Sequence, residues 1–407
     1  MDNEISLLED KYIELILKRC LNFKKSNSLF ISYDKVNRNF VDKVVNYAKN
    51  MGITDIKLEE NDIYTLRHKL DTMTLEEIGQ DSYFDKSIWD VYAKRDASFL
   101  MLETEFPGVM DGVDEEKFVY AKSINRKTRK LFREKETTYQ IPWCFATLPN
   151  QLWADSIFKN DKDSYNRLFK VICKMCMIDK ENPIASWNEY IKLSGDRANK
   201  LNSMKIKRLH YTNSLGTDLY VSIPNDAIWV SVGSGLEKDM LVNMPSYEIF
   251  TSPDYLSTEG VVYSSRPLMY GGGLIDKFYI KFKEGRVIDF NAEVGFNILK
   301  GIIESDDNSC YLGEVALVNY NSPISNTKLI FGNTLFDENA SCHLALGDAF
   351  PTCLKNGLNM TKDELLKKGI NHSNNHVDFM IGTPDLKIEA ETEYEKIILF
   401  ENGNFTI

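Results

Sequence analysis

The sequence predicts an α/β protein with two domains: a parallel-sheet α/β domain followed by a strand-rich α+β domain. A strand, a helix and a second strand follow one another early in the chain, within the roughly 30 residues of a βαβ unit. From about Lys205 the pattern changes to short strands separated by polar or glycine-containing turns. A chain of 407 residues is also long for a single hydrophobic core, so two domains are expected.

The N-terminal elements are predicted from hydrophobic periodicity and from the residues that end them. Leu7 to Cys20 has the pattern of a helix with one broad apolar face. Ser28 to Tyr33 is predicted as a strand, 37–51 as a helix and Asp55 to Leu58 as a second strand. Gly52 lies at the predicted helix end, where a left-handed residue is common. Two strands joined through a helix form a parallel pair, so this sheet should be parallel.

The remaining elements follow the same reasoning. The helical patterns are 114–135, 151–178 and 183–203, and the later strand patterns are 206–212, 218–222, 260–264, 278–283, 287–291 and 313–320. We place the domain boundary so that 1–190 forms the α/β domain and 191–407 forms the strand-rich domain.

Composition and charge exclude several classes of protein. Hydrophobic residues make up 43% and charged residues 27% of the chain, which is typical of globular proteins rather than disordered chains. No apolar run reaches the ~18 residues of a membrane span, so no membrane association is expected. The net charge of −11 lacks the basic character of a nucleic-acid-binding protein. The seven dispersed cysteines suit free thiols, and no signal-peptide pattern opens the chain, so we expect a cytoplasmic protein.

Two residues near the C-terminus have the spacing of a ligand pair. His376 and Asp378 precede the strand-like segment Phe379-Met380-Ile381. Side chains at i and i+2 of a strand point to the same face, so the imidazole and the carboxylate could bind one metal ion. This spacing is common by chance, and the pair alone does not establish a site.

Three further residues each have an ordinary alternative explanation. Glu314 lies among apolar residues, where a carboxylate is buried only if paired or metal-bound, but a one-sided strand would expose it to solvent. His343 could begin a short strand or lie in a helix starting near Asp337, and a single histidine is more often a packed residue than a ligand. Taken alone, Glu248 has the pattern of a solvent-exposed acidic residue in a loop.

Taken together, these segments resemble the aminopeptidase T and aminopeptidase S family of metallopeptidases. The resemblance extends over nearly the whole chain and is most specific in the C-terminal half. Four segments match in order: Asn243-Met244-Pro245 leading to Glu248 through Pro253, Tyr311 through Ala316, Leu335 through Gly347, and Asn371-His372-Ser373 with His376 through Gly382.

The resemblance implies a catalytic metal domain in the C-terminal half. Glu248, Glu314, His343, His376 and Asp378 would hold two divalent metal ions, and Glu314 would also take part in catalysis. Oxygen and imidazole ligands do not decide among zinc, cobalt and manganese. The implied activity is removal of N-terminal residues from short peptides by metal-activated water, and the implied assembly is a homodimer. His372 matches no ligand position.

Two positions depart from the family pattern and are expected to lie at the substrate pocket. The family has a tyrosine seven residues after the histidine of the third segment, where this chain has Phe350. Phenylalanine cannot donate a hydrogen bond to a developing oxyanion, and losing one such donor typically costs ~10²–10³ in rate. Tyr247, beside Glu248, is the second departure.

Two alternatives follow for the function. The chain could be a catalytically impaired or repurposed metal-binding relative, for which Phe350 is the main argument. It could also resemble a ring-cleaving dioxygenase that uses a single iron on a similar scaffold. The presence of all five peptidase ligand positions counts against that second alternative.

Overall fold

The computed structural model describes residues 3–23, 28–233, 240–271 and 273–407. The chain divides into two compact units: unit 1 contains Met1–Asn188 and Gly235–Pro245, and unit 2 contains Glu189–Ser234 and Ser246–Ile407. The boundary between 190 and 191, taken as the limit of two independent domains, stays a prediction.

The helices lie mainly in the first half of the chain. They are α1 Asn3–Glu14, α2 Arg38–Asn50, α3 Ile63–Thr72, α4 Leu75–Gln80, α5 Ser87–Ala93, α6 Glu115–Thr128, α7 Lys130–Thr137, α8 Gln151–Ile157, α9 Ser164–Met175, α10 Pro183–Met204, α11 Phe296–Ile303, α12 Thr334–Glu338 and α13 Lys362–Lys367. A π-helical turn, Leu15–Cys20, continues α1, and single 3₁₀ turns cover Lys35–Asn37, Ser325–Thr327, Pro351–Cys353 and Gly357–Asn359. Among the described residues, no helix combines the length and the apolar character that a membrane crossing requires.

The strands are concentrated in the second half. They are β1 Ser28–Asp34, β2 Asp55–Asn61, β3 Ser98–Glu103, β4 Trp143–Thr147, β5 Arg208–Thr212, β6 Asp218–Ser222, β7 Val230–Ser231, β8 Asn243–Met244, β9 Ile249–Thr251, β10 Glu259–Tyr263, β11 Leu268–Tyr270, β12 Gly273–Lys283, β13 Arg286–Val294, β14 Leu312–Leu317, β15 His343–Gly347, β16 His376–Met380, β17 Lys387–Glu391, β18 Lys396–Glu401 and β19 Asn404–Phe405.

Unit 1 is built on a parallel sheet in the order β2-β1-β3-β4-β8. The β1–α2–β2 segment is the predicted βαβ unit. Helix α2 buries Phe40, Val41 and Val44 at helical spacing, and Gly52 follows it at φ +89°, a conformation that costs glycine little. The predicted parallel sheet is therefore confirmed.

Two of the predicted long helices are each divided in the structure. The pattern 151–178 contains α8 and α9, separated where Asn160 adopts a left-handed conformation with φ 64°. The pattern 114–135 contains α6 and α7, separated at Arg129, whose φ and ψ are −121° and 40°. Apolar residues continue on both sides of each break, as Ala121 and Phe132 do around Arg129, so hydrophobic periodicity alone does not reveal the interruption.

Unit 2 contains two antiparallel sheets. The larger has the order β11-β12-β10-β6-β5-β17-β18-β19, with β13 also paired to β12, and the smaller has the order β16-β15-β14-β9-β7. Side chains from both sheets form one hydrophobic core, including Leu209 and Val221 of the larger sheet and Val315 and Leu344 of the smaller. The predicted strand-rich α+β architecture is confirmed, and the smaller sheet positions the site described next.

Candidate active site

All five candidate ligands lie on one face of the smaller sheet of unit 2. Glu314 on β14 and Asp378 on β16 are both paired with Ala345 of β15, which lies between them. His376 is paired with Gly347, and His343 lies two residues before Ala345. Paired residues, and residues two apart in a strand, share a face. The opposite face, with Val315 and Leu344 among others, packs into the core.

Glu248 reaches the same face from the neighbouring strand. It immediately precedes β9 and lies two residues before Phe250, whose pairing partner is Ala316. Ala316 is in turn paired with His343. The alternation along each strand therefore turns Glu248 toward Glu314 and His343.

A β-bulge at Gly313 turns Glu314 to the site. The pairing of β14 with β15 shifts by one residue between Leu312 and Glu314. Without this shift, Glu314 would lie opposite Leu344 and would face the core. Only glycine fits at position 313, because an added Cβ would lie 2.1 Å from the carbonyl oxygen of Asp348.

Small residues of β15 leave room above the centre of the sheet. Ala345 separates Glu314 from Asp378, and Gly347 faces His376. Gly347 has φ +100°, and an added Cβ would lie 2.2 Å from the carbonyl oxygen of Asn375. The ligand side chains can therefore lean toward one another over this row.

The five side chains form two groups of three that share Glu314. One group is Glu248, Glu314 and His343, and the other is Glu314, His376 and Asp378; within each group the potential ligand atoms lie within 4.8 Å of one another. His343 Nε2 is 3.2 Å from Glu248 Oε2. His376 Nε2 is 3.0 Å from Glu314 Oε2 and 3.3 Å from Asp378 Oδ1. His343 and Glu314 are 1% and 4% exposed, so these two side chains are shielded from solvent.

Hydrogen bonds to the backbone fix the orientation of both imidazoles. His343 Nδ1 lies 3.2 Å from the carbonyl oxygen of Ser341, and His376 Nδ1 lies 2.7 Å from that of Asp348. A carbonyl oxygen can only accept, so each Nδ1 carries the hydrogen and donates it. In the neutral ring, Nε2 then presents its lone pair to the carboxylates. This is the arrangement in which histidine binds metal ions.

The donor set fits divalent cations. The Nε2 atoms of both imidazoles face carboxylate oxygens, so a positive charge, either a proton or a metal ion, is needed between them. Asp378 Oδ1 is buried and has no hydrogen-bond partner in the described part of the chain. Burial lowers the pKa of His343, but the carboxylates around it, with Glu248 first, raise the pKa to about 10. Three carboxylates and two imidazoles thus form a buried site that attracts cations.

Phe350 borders this site. Its ring centroid is 4.9 Å from that of His376 and 5.5 Å from that of Phe250. The side chain is 37% exposed, so the ring forms a solvent-accessible apolar edge beside a candidate ligand. The hydroxyl of Ser252 accepts a hydrogen bond from the Phe350 N–H (3.1 Å) and donates one to its carbonyl oxygen (3.3 Å), which holds this position in place.

Tyr247 is buried rather than open to solvent. It is 6% exposed, and its ring packs edge-on against that of Tyr190 at 5.2 Å. The Tyr190 hydroxyl donates to the Tyr247 carbonyl oxygen at 3.0 Å. The Tyr247 N–H donates to Asn339 Oδ1 at 2.6 Å. These hydrogen bonds fix the backbone of Tyr247, the residue that immediately precedes Glu248.

The structure brings a fourth carboxyl group, that of Glu338, to the site, and the sequence did not identify it. Glu338 ends α12, which packs on β16. Burial raises its pKa well above the ordinary range, and the carboxylates of Asp378 and Glu248 add to the rise. The only sequence signal was its position five residues before His343. His372 belongs to neither group: its Nδ1 lies 2.9 Å from Asp348 Oδ1.

Known proteins with similar sequences are metallopeptidases. The model of the thermophilic metalloprotease family (M29) matches residues 7–405. Aminopeptidase AmpS of Bacillus subtilis (strain 168) is 32% identical over 399 residues, which cover 97% of each chain. Aminopeptidase 2 of Geobacillus stearothermophilus is 32% identical over 401 residues, again 97% of each chain.

Two solved structures share the fold. Wild-type AmpT from Thermus thermophilus superposes with a TM-score of 0.90 at 27% identity and covers 99% of both chains. The 2,5-dihydroxypyridine dioxygenase from Pseudomonas putida KT2440 gives a TM-score of 0.52 at 9% identity over 99% of this chain and 98% of that one, which is a likeness of fold alone. The family predicted from the four sequence segments is confirmed: the chain belongs to the thermophilic metalloprotease family (M29).

Proposed function

We propose that this chain is a metal-dependent aminopeptidase that removes N-terminal residues from short peptides. The observation that carries the proposal is the pair of three-residue groups that share Glu314 on one sheet face. The relatives named above are aminopeptidases, and the proposed activity is the one their names give.

The two groups would hold two divalent cations. Glu248, Glu314 and His343 would hold one cation, and Glu314, His376 and Asp378 would hold the other, so Glu314 would contribute to both. Two such ions polarise a peptide carbonyl and lower the pKa of an attacking water. Three carboxylates and two divalent ions leave one positive charge, which a hydroxide would neutralise. Zinc, cobalt and manganese all suit this ligand set.

The residues of the chain supply orientation and proton transfer. The carbonyl oxygens of Ser341 and Asp348 hold the imidazoles with Nε2 facing the carboxylates. Glu314 belongs to both groups, so we assign it the central catalytic role. Glu338 carries a carboxyl group beside the cluster but outside both groups, and we assign it the transfer of a proton to the leaving amine.

The substrate and the setting follow from charge and composition. The cluster of carboxylates attracts the ammonium group of a free peptide N-terminus, and the exposed ring of Phe350 offers an apolar edge for its side chain.

All seven cysteines are buried free thiols, which suits a cytoplasmic protein. Exposed apolar residues on and beside β11 to β13, among them Leu274 and Ile288, offer a surface for a homodimer.

A second candidate is a metal-binding relative with little or no peptidase activity. Phe350 favours it, because this ring beside His376 has no hydroxyl to donate to an oxyanion. The two candidates agree on metal binding and differ in turnover.

The test measures metal content per chain and hydrolysis of L-leucine amide with added zinc, cobalt or manganese. We expect two ions per chain and measurable turnover. Glu314→Gln and Asp378→Asn should lose metal and activity, whereas Glu293→Gln, a matched change at a side chain that is 66% exposed, should retain both. Native metal content in both site variants would refute the site. Metal binding without turnover would select the second candidate.

A further inference from the structure

A cavity lies wholly within unit 1, at the carboxyl ends of its parallel strands. Its volume is ≈ 420 Å³, and its lining includes Tyr33 near the end of β1, Glu103 at the end of β3 and Phe145 of β4. The chain passes from β1 to β2 on one side of the sheet and then returns to β3 on the other side of β1. Parallel sheets bind ligands at such a reversal, and the volume lies within the range of small-molecule sites.

Charged side chains line this cavity without pairing with one another. Arg129, Arg133, Glu103 and Glu136 all contribute to its wall. Among the described residues, none of the four side chains forms an ion pair or accepts or donates a hydrogen bond. Arg129 lies over the ring of Trp89, with 5.0 Å to the ring centroid, but its buried Nε has no hydrogen-bond partner.

The pKa values of the two carboxyl groups are raised because both groups are buried and neither has a hydrogen-bond or ion-pair partner among the described residues. Burial raises the pKa of Glu103 to about 7, and the nearby carboxylate of Glu105 adds to the rise. Burial also raises the pKa of Glu136, which Arg133 and Arg129 only partly offset. Glu136 is 8% exposed. Buried charged groups in folded proteins are normally paired, so their partners are missing from this wall.

Another carboxylate of the cavity lining, Glu59, has partners for its charge. Glu59 accepts hydrogen bonds from Trp89 Nε1 at 3.0 Å and from the hydroxyl of Ser32 at 2.9 Å. It also forms an ion pair with Lys86 at 3.1 Å. Glu59 is therefore structural, and the four unpaired side chains are the ones available to a ligand.

A ligand that satisfies both signs of charge must carry both signs itself. A carboxylate matches the planar donor fork of arginine, and an ammonium group matches a carboxylate. The apolar side chains of Phe132, Phe145 and Met101 complete the lining and suit an apolar substituent. We propose that this cavity binds a small zwitterion, a free amino acid with an apolar side chain, through Arg129 and Arg133 at its carboxylate and Glu103 and Glu136 at its ammonium group. This proposal does not depend on the peptidase activity.

The test is calorimetric titration of the full metal-loaded chain with three related probes. L-leucine carries both charges, isopentylamine lacks the carboxylate and N-acetyl-L-leucine lacks the ammonium group. We expect L-leucine to bind at least about tenfold more tightly than either analogue, because each analogue leaves one buried charge unpaired. Equal affinity for all three probes, or no binding of L-leucine, would overturn the proposal.

Variants place the binding in the cavity. Arg129→Gln and Glu103→Gln should each weaken L-leucine binding by at least about tenfold. Arg95→Gln, at an arginine of the same unit that is 56% exposed, should bind as the native chain does. Glu314→Gln should also retain binding, since it alters the proposed active site only. Circular dichroism checks that each variant is folded. Loss of binding in Glu314→Gln, or native binding in both cavity variants, would assign the amino acid elsewhere.

Discussion

The substitution Phe350→Tyr should raise the turnover number of this protein without changing its metal content. The hydrogen bonds between Ser252 and the backbone of Phe350 do not involve the side chain, so the ring should keep its place 4.9 Å from His376. The side chain is 37% exposed, which leaves room for a hydroxyl. We therefore expect the free energy of unfolding to change by no more than about 0.5 kcal/mol.

The size of the gain follows from the position of the ring. A donor aimed at a developing oxyanion is typically worth ~10²–10³ in kcat. Because this ring is partly open to solvent, water will compete for the hydroxyl, and we expect the lower end, about 10²-fold. The assay is hydrolysis of L-leucine amide at saturating metal, with kcat and KM measured separately. The gain should appear in kcat, since the hydroxyl contacts charge that develops only in the transition state.

A matched control is Phe250→Tyr, which adds the same hydroxyl to the neighbouring ring 5.5 Å away. It should leave kcat within about threefold of the native value, because the effect depends on the position of the donor. If Phe350→Tyr leaves kcat within the same range while two metal ions remain bound, the hydroxyl is not a catalytic donor in this site. Phe350 would then be a neutral variation.

Three other predictions concern residues that the sequence did not single out. Glu338→Gln should lower kcat by about 10²–10⁴ while metal content stays unchanged; loss of metal would instead make Glu338 a ligand. Asn339→Ala should lower the free energy of unfolding by about 2–4 kcal/mol in urea titrations, because it removes the hydrogen bonds of the Asn339 side chain to the Tyr247 N–H and to the carbonyl oxygen of Leu335. A decrease below about 0.5 kcal/mol would show that these hydrogen bonds contribute little to stability. Glu103→Gln should be more stable than the native chain at pH 8 but not at pH 4.

The sign of the Glu103 effect comes from proton binding. Its pKa is about 7 in the folded chain against an ordinary 4.5, so the folded state binds the proton more tightly than the unfolded state. The native chain therefore loses stability as pH rises from about 4.5 to 7, by up to about 3 kcal/mol. Glutamine does not titrate, so the advantage of the variant should be complete above pH 7. Parallel stability curves for both chains would contradict a buried, unpaired carboxyl group.

Local features of the site could be predicted from the sequence, and long-range features could not. The i, i+2 spacing of His376 and Asp378 fixes their common face because a strand alternates its side chains, and the structure has both on one face of β16. For His343, periodicity left helix and strand open; the structure has a short helix ending at Glu338 and a strand beginning at His343. The segment therefore contains both the helix and the strand, one after the other.

The position of Glu338 and the cavity of unit 1 could not be predicted from the sequence. Glu338 reaches the site because α12 packs on β16, and nothing in the residues around it specifies that contact. Arg129 lies in a predicted helical segment whose pattern resembles any solvated basic helix. Only the fold reveals that Arg129 and Glu103, which lies at a distant strand end, line one cavity without forming an ion pair. Such properties arise from contacts between segments far apart in the chain.

The bulge at Gly313 makes the proposed chemistry depend on the register of a strand as well as on the identity of its residues. If Gly313 were paired in regular register with Ala345, Glu314 would lie opposite Leu344 in the core and Val315 would turn to the candidate ligands. All five candidate ligand residues would still be present in the sequence. Such a slip of register should abolish activity as completely as removing the carboxylate, and a motif search would not detect the defect. One extra residue held as a bulge is thus enough to keep a carboxylate on a binding face.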